Sequence, residues 1–307
     1  MAFSKPPPPD HPLTLRSSSL IIFCSVIWGG TVVAIQYSVD SLPPVGTAGI
    51  RFALASLFML LWCLWDRRPI RLLPGEHIPV AISGGILFAQ IALFNIGTLW
   101  TSSTHSALMI NIYPVFVAVF AHYLLVNDRL TLRKCAGLAT AFGGVVIVVV
   151  LAGDHEGARD PSTLRGDVTV LVSSFLLAIK TIYMKRVMRV IEPNKLLLWQ
   201  FLIAVALFAL TSLMFEGIDA YTFTAPAVAG LLYQGIAVAG FCFACWAWLL
   251  KRHPASQLTA FTFVTPLAGM VIGNVFRGDA LSMGLLLGGV LVTGGIYLVT
   301  TSGSRAV

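Results

Sequence analysis

The chain has 307 residues, of which 57% are hydrophobic and only 11% charged, with a mean hydropathy of +0.86. A soluble domain carries about 25% charged residues, so this composition excludes one and points to an integral membrane protein. The net charge of +7 raises a nucleic-acid partner as a question, which the placement of the charges settles.

The opening MAFSKPPPPDHPLTLRSSS is polar and proline-rich and predicts a disordered tail over 1–18. It lacks a short apolar region followed by a small-residue cleavage site, so the first helix is expected to be a retained span. A span needs about 20 mostly apolar residues. Ten runs meet that requirement: 19–38, 45–65, 78–98, 104–126, 132–152, 167–187, 196–215, 226–250, 255–276 and 282–301. The connections are short and rich in Pro, Gly, Asp and Arg. The expected fold is an all-α integral membrane protein with ten transmembrane helices.

Lys and Arg concentrate in cytoplasmic segments of membrane proteins. With the N-terminus in the cytoplasm, that side holds Lys5, Arg16, Arg67, Arg68, Arg71, Arg129, Arg133, Lys134, Lys185, Arg186, Arg189, Lys195, Lys251, Arg252 and Arg305. The opposite side holds Arg159, Arg165 and Arg277, with acids at Asp40, Asp154, Glu156, Asp160, Glu216 and Asp219. Both termini are therefore expected in the cytoplasm. The positive charge is topological, and no nucleic acid is needed to explain it.

The stretch from Asn127, NDRLTLRKCAGLATAFGGVVIV, repeats from Gly278 as GDALSMGLLLGGVLVTGGIYLV. Asp128 aligns with Asp279, Leu130 with Leu281, Gly137 with Gly288, and Gly143-Gly144 with Gly294-Gly295. Pro114 pairs with Pro266 after one gap, and Arg51 falls opposite Gln200. The chain thus divides into a first repeat over 19–152, an outer linker over 153–165, a second repeat over 166–301 and a short tail over 302–307. Five spans is an odd number, so the second copy inserts upside down. Two inverted five-helix repeats are a recurring architecture of secondary transporters. Duplication can also simply enlarge a bundle.

The resemblance can be placed on residues. VIWGG in span 1, GIRFALASLF in span 2, GTLWTSSTHSALMINIYPVFVAV across spans 3 and 4, NDRLTLRKCAGLATAFGGV, and FACWAWLLKRHPASQLTAFTFVTPLAG in the second half resemble the EamA family of the drug/metabolite transporter superfamily. The resemblance runs from about Leu20 to Thr300. It implies a multi-pass protein of the plasma membrane, the inner membrane in a bacterium, that moves a small-molecule metabolite, often by export. Amino acids and their derivatives, sugars, nucleotides and drugs are the range it implies. The chain departs from the family in two places. Asp128 and Asp279 stand where many members have Glu, and LAIK puts Lys180 at a usual aromatic position.

Lys180 lies well inside span 6, where a charge is expensive and is a functional hypothesis by default. Ser173 and Tyr183 share its helical face. One reading has Lys180 lining a cavity. The other has its stem snorkelling to the headgroups near Lys185. Arg51 sits two turns into span 2, either touching substrate or holding backbone carbonyls at a broken helix. Pro114 and Pro266 each remove a backbone bond to the carbonyl four residues earlier, Ile110 and Thr262, and are expected hinges or gates. Gln90 follows Ser83 by seven, and Asn111 precedes Pro114 by three. Gln234, Phe241 and Trp248 recur at seven on span 8. Trp28 and Trp246 could stack on a planar substrate, although interfacial belts and packing explain most membrane aromatics. The candidate cavity set is Lys180, Arg51, Gln90, Asn111, Tyr183, Gln234, Trp28 and Trp246.

Asp128 and Asp279 read as helix caps, three residues before Thr131 and Ser282. The glycines of spans 9 and 10 read as close packing. The five cysteines fall in apolar runs and read as inert packing residues, and CxxC at Cys242 and Cys245 lacks nearby partners for a metal. No metal, cofactor or catalytic residue is expected. HExxH, GxSxG and any mid-span acid are missing, which argues against a membrane-embedded enzyme. A channel or scaffold bundle without alternating access is a third reading. Without a mid-span acid, a drug-cation site or a carboxylate proton relay has no ligand. His105 and His122 are the alternatives for proton coupling; otherwise transport is uncoupled or coupled to a counter-substrate. Two in-span cations favour a carboxylate-bearing substrate such as an amino acid.

Overall fold

A computed structural model describes residues 10–101, 106, 109–126, 128–153, 164–217, 221–277 and 283–302. The described residues are helical with short connections and contain no strand. In chain order the helices are α1 (Leu15–Gly29), α2 (Thr31–Val39), α3 (Pro44–Trp65), α4 (His77–Leu99), α5 (Tyr113–Leu124), α6 (Leu132–Gly153), α7 (Leu164–Val187), α8 (Pro193–Phe215), α9 (Ala225–Arg252), α10 (Ala255–Ala260), α11 (Val264–Arg277) and α12 (Met283–Thr301).

Local chemistry sets the starts. Thr14 accepts the Ser17 N–H at 3.2 Å and begins α1 at Leu15, four residues before the expected start. Pro44 opens α3, and its next two N–H groups donate to the Glu216 carboxylate at 2.8 Å each. Glu192 accepts the Lys195 N–H at 3.0 Å ahead of Pro193 in α8. Each device satisfies amide groups that a helix leaves free at its N-terminus.

Among the described residues seven helical stretches are long and apolar enough to cross a membrane, including Leu15–Val39, Ala225–Arg252 and Ala255–Ile272, and Tyr113–Leu124 and Leu286–Thr301 are shorter apolar helices. Many exposed side chains are large and apolar, including Leu61, Leu64, Ile78, Leu213 and Val290, as a lipid-facing surface requires. One buried cluster centred on Phe52, Phe201 and Phe208 joins residues of both halves.

The two halves pack through reciprocal contacts. A Cβ on Gly137 would sit 2.8 Å from the Gly295 carbonyl, and one on Gly144 would sit 2.7 Å from that of Gly288. In the sequence, Gly137 is equivalent to Gly288 and Gly144 to Gly295. Each glycine therefore meets the counterpart of the other one, with numbers rising along α6 and falling along α12. That crossed pattern describes two antiparallel helices related by a two-fold axis. The same exchange recurs elsewhere: α4 packs on α7 while α9 packs on α1 and α2, and α3 packs on α8.

Three local expectations are corrected. Pro114 does not lie inside a continuous helix, and Pro266 lies in a stretch that stays helical from Ala255 but tightens just ahead of it. Met109 and Ile110 are helical, Asn111 and Ile112 form a turn, and Pro114 is in the first turn of α5, where its missing N–H is tolerated. A 3₁₀ turn over Phe261–Phe263 precedes α11, and Pro266 is in the first turn of that helix. Gln234, Phe241 and Trp248 do not share a face. Tyr233–Cys242 is π-helical, and i→i+5 bonding shifts the register by about one residue per turn. Gln234 is buried while Trp248 is exposed beneath Arg252, whose Cζ lies 3.9 Å from the ring centroid. Cys135 is exposed rather than buried.

Asp128 caps across the halves instead of capping its own helix. Its carboxylate accepts the Ser256 N–H at 2.8 Å and pairs with Lys134 Nζ at 2.7 Å, while Thr131 accepts the Lys134 N–H. Asp279, Ser282 and His105 lie outside the described residues.

Candidate functional site

Phe243 follows directly on the π-helical stretch of α9, and the ring is the centre of the candidate site. Lys180 of α7 places its ammonium 5.3 Å from the ring centroid, within cation–π range. Trp28 of α1 meets Phe243 edge-on at 6.2 Å and Trp246 at 5.5 Å. On the other side Phe201 lies 5.9 Å from Phe243 and 5.5 Å from Phe52. The Arg51 guanidinium sits 5.4 Å from the Phe52 centroid and acts on Lys180 as a like charge. Two cations from opposite halves thus share one aromatic wall.

Lys180 is 5% exposed, and among the described residues it has no hydrogen bond or ion pair. The other buried lysines have acids: Lys134 takes Asp128, Lys185 takes Asp10 at 2.8 Å, and Lys195 takes Glu76 at 2.7 Å. A buried cation without a counter-ion is costly. Trp28 Nε1 and Arg51 Nε are buried donors without a partner among the described residues. The site is therefore rich in unspent donors and positive charge.

The other predicted residues are placed differently. Gln90 donates to Ser173 at 3.0 Å and ties α4 to α7. Gln234 donates to Ser38 at 3.0 Å and to the Ala34 carbonyl at 3.1 Å, tying α9 to α2. Both amides are committed to neighbouring helices. Tyr183 donates to the Pro79 carbonyl at 3.1 Å. Asn111 belongs to the turn that breaks the chain ahead of α5. An apolar cavity of about 540 Å³ between α3 and α8, lined by Leu57, Leu60, Trp199 and Leu202, contains none of the predicted site residues.

The helix breaks carry serines that the sequence reading missed. Ser174 donates at 3.2 Å to the carbonyl of Ile110, the group that Pro114 cannot serve. Ser25 donates at 3.3 Å to the carbonyl of Phe261, just ahead of Pro266. Ser25 and Ser174 are separated by the same interval as Arg51 and Gln200, which is the signal that could have found them. Phe243 was missed because one more aromatic in GFCFACWAW carries no mark of its own.

At one end of the bundle a second cluster forms around Lys185. Its ammonium donates to Asp10, to the Leu250 carbonyl at 3.1 Å and to the His253 carbonyl. The His253 ring lies 2.9 Å from Ser17 Oγ through Nε2 and 3.0 Å from the His11 carbonyl through Nδ1, and the His11 N–H donates to the Arg252 carbonyl at 2.9 Å. Residues 10–14 thus bind the ends of α1, α7 and α9 together.

A model of the EamA-like transporter family matches residues 15–150 and again 164–301. An uncharacterized transporter of Archaeoglobus fulgidus is 26% identical over 290 residues, covering 93% of this chain and 97% of that protein. YoaV of Bacillus subtilis, also an uncharacterized transporter, is 24% identical with the same coverage of each chain. A probable amino-acid metabolite efflux pump of Salmonella typhimurium is 24% identical, covering 93% of this chain and 95% of its own. A solved crystal structure shares the fold at a TM-score of 0.83 and 20% identity, over 95% of this chain and 99% of that one. The helices and the twice-matched sequence define a membrane transporter built from two repeats. The chain belongs to the EamA-like transporter family.

Proposed function

We propose that the protein exports a small polar metabolite, an amino acid or a related carboxylate-bearing compound, by alternating access of two inverted five-helix repeats. The observation that carries this reading is Lys180, a buried ammonium without a counter-ion among the described residues, beside the like charge of Arg51. A substrate carboxylate supplies the missing negative charge. Trp28, Trp246 and Phe243 pack edge-on beside Lys180 and offer apolar ring surface. The efflux named for the Salmonella typhimurium relative agrees with an exporter.

The crossed glycine contacts support two halves related by an axis in the membrane plane. The Lys and Arg distribution favours both termini on the cytoplasmic side. The seven long spans, the two shorter apolar helices and the 22-residue helix Leu132–Gly153 together supply the ten spans that this reading requires. The breaks ahead of Pro114 and Pro266 are the hinges about which each half changes shape. The sequence has no mid-span carboxylate to relay a proton, which leaves exchange with a counter-substrate, uncoupled transport, or proton coupling through His105 or His122.

Purified protein in substrate-loaded vesicles tests the reading. Saturable flux stimulated by counter-substrate is expected. Ohmic conductance, or flux without saturation, replaces the transporter by a channel.

A further inference from the structure

Resting on the carboxylate reading of this site, we infer that the substrate is an organic acid with a flat apolar body and no free ammonium group, rather than a zwitterionic amino acid. The argument is the one-sidedness of the site. Lys180 Nζ, Arg51 Nε and Trp28 Nε1 are all donors, and none has a hydrogen-bond partner among the described residues. A carboxylate is acceptor-only and fits them.

A zwitterion brings a second requirement. Its ammonium needs acceptors and tolerates no nearby cation. Here it would sit beside the like charges of Lys180 and Arg51, which hold the Phe243 and Phe52 rings. The aromatic faces that could host an ammonium are partly engaged: Lys180 occupies Phe243 and Arg51 occupies Phe52. Backbone carbonyls at broken helices are the usual alternative hosts. In this chain the Ile110 carbonyl receives Ser174 and the Phe261 carbonyl receives Ser25. The acids that could pair with an ammonium serve Lys134, Lys185 and Lys195. Among the described residues the remaining unpartnered buried groups are Gln200 Nε2, another donor, and the hydroxyls of Thr31, Ser106 and Thr265, which bring no negative charge. What is left for the rest of the ligand is the wall of Trp28, Trp246, Phe243 and Phe201. An apolar ring or chain packs there at no electrostatic cost.

The test uses four matched probes on the full-length protein in detergent: 3-phenylpropionate, N-acetylphenylalanine, phenylalanine and phenethylamine. Binding is read as a rise in melting temperature and as a change in tryptophan fluorescence. The two amine-free acids are expected to bind at least about tenfold more tightly than phenylalanine, because like-charge juxtaposition opposes the ammonium. Phenethylamine is expected to give no response. Lys180→Met should remove the response to both acids while its ligand-free melting stays cooperative. Phenylalanine binding as tightly as 3-phenylpropionate overturns the amine-free inference and leaves the carboxylate site standing. Acids that bind Lys180→Met as well as the unaltered protein overturn the carboxylate site itself, as does no response to either acid. The probe series on the unaltered protein is decisive even if the variant does not fold.

Discussion

Gly137 and Gly295 face each other across the α6–α12 contact, and the carbonyl oxygen of each stands where the other's side chain would need room. A Cβ on Gly137 would lie 2.8 Å from the Gly295 carbonyl, and a Cβ on Gly295 would lie 2.5 Å from the Gly137 carbonyl. Helices in a membrane associate through such close backbone approach rather than through water exclusion.

Replacing Gly137 or Gly295 by Leu should therefore push the two helices apart. Overpacking of this kind costs about 1–3 kcal/mol. Gly143, one position before the equally tight Gly144, has open space around it and should accept Ala without loss. Melting in detergent separates the two positions. Equal behaviour of Gly137→Leu and Gly143→Ala would remove the glycine contact as the basis of the α6–α12 pairing.

Asp128 is fully buried against Lys134 and Ser256. Removing one partner of a buried pair leaves an uncompensated charge and costs about 3–5 kcal/mol. Lys134→Met should accordingly lower the melting temperature strongly. Lys134→Met combined with Asp128→Leu should recover part of the loss. If the double variant is less stable than the single one by the full additive amount, the pair is not coupled.

Ser174 and Ser25 hold the two helix breaks. Ser174→Ala should leave the Ile110 carbonyl unserved and cost about 1–3 kcal/mol. Ser25 shares its hydroxyl with the Ile21 carbonyl at 2.9 Å, so Ser25→Ala is expected to cost less. Flux measured alongside melting should show both variants affected at the same step. Wild-type stability and flux in Ser174→Ala would mean that the break does not depend on the serine.

The cluster around His253 should respond to pH. Burial holds the imidazole below its ordinary value near 6.5, and the charge of Lys185 adds to this, while the His11 carbonyl and Asp10 oppose it. Ser17, His11, Lys185 and Asp10 are the groups that face the ring or act on it. The folded state therefore binds a proton less readily than the unfolded chain. Stability is complete above the ordinary histidine range and falls as pH drops through it toward the lower folded value. His253→Gln should flatten melting temperature against pH between about 7 and 5. An unchanged slope assigns that pH dependence elsewhere.

Much of the architecture was legible because membrane helices must be long and apolar and because duplicated sequence keeps its spacing. The glycine register announced α6 and α12 as equivalent, closely packed helices without naming their partners, and mid-span charge announced Lys180 and Arg51. The rest depends on features without a sequence period. The π-helical turn of α9 moved Trp248 outward and put Phe243 beside Lys180. Gln90 and Gln234 are as polar as a ligand-binding amide, and only coordinates reveal that Ser173 and Ser38 claim them. The engagement of Asp10 and His11 was hidden because a proline-rich leader looks the same free or bound.

The directions of these ties have a further consequence. Asp128 caps Ser256, Glu216 caps α3, Ser83 donates to Gln200, Glu76 pairs with Lys195, and Tyr233 donates to the Ile27 carbonyl. Every one of them joins a residue before 153 to one after 164. Either repeat by itself would present its partner's vacant donors and acceptors to lipid, where nothing can satisfy them. The molecule is in this sense a heterodimer carried on a single polypeptide, and two separately made halves should find each other in the membrane while neither persists alone.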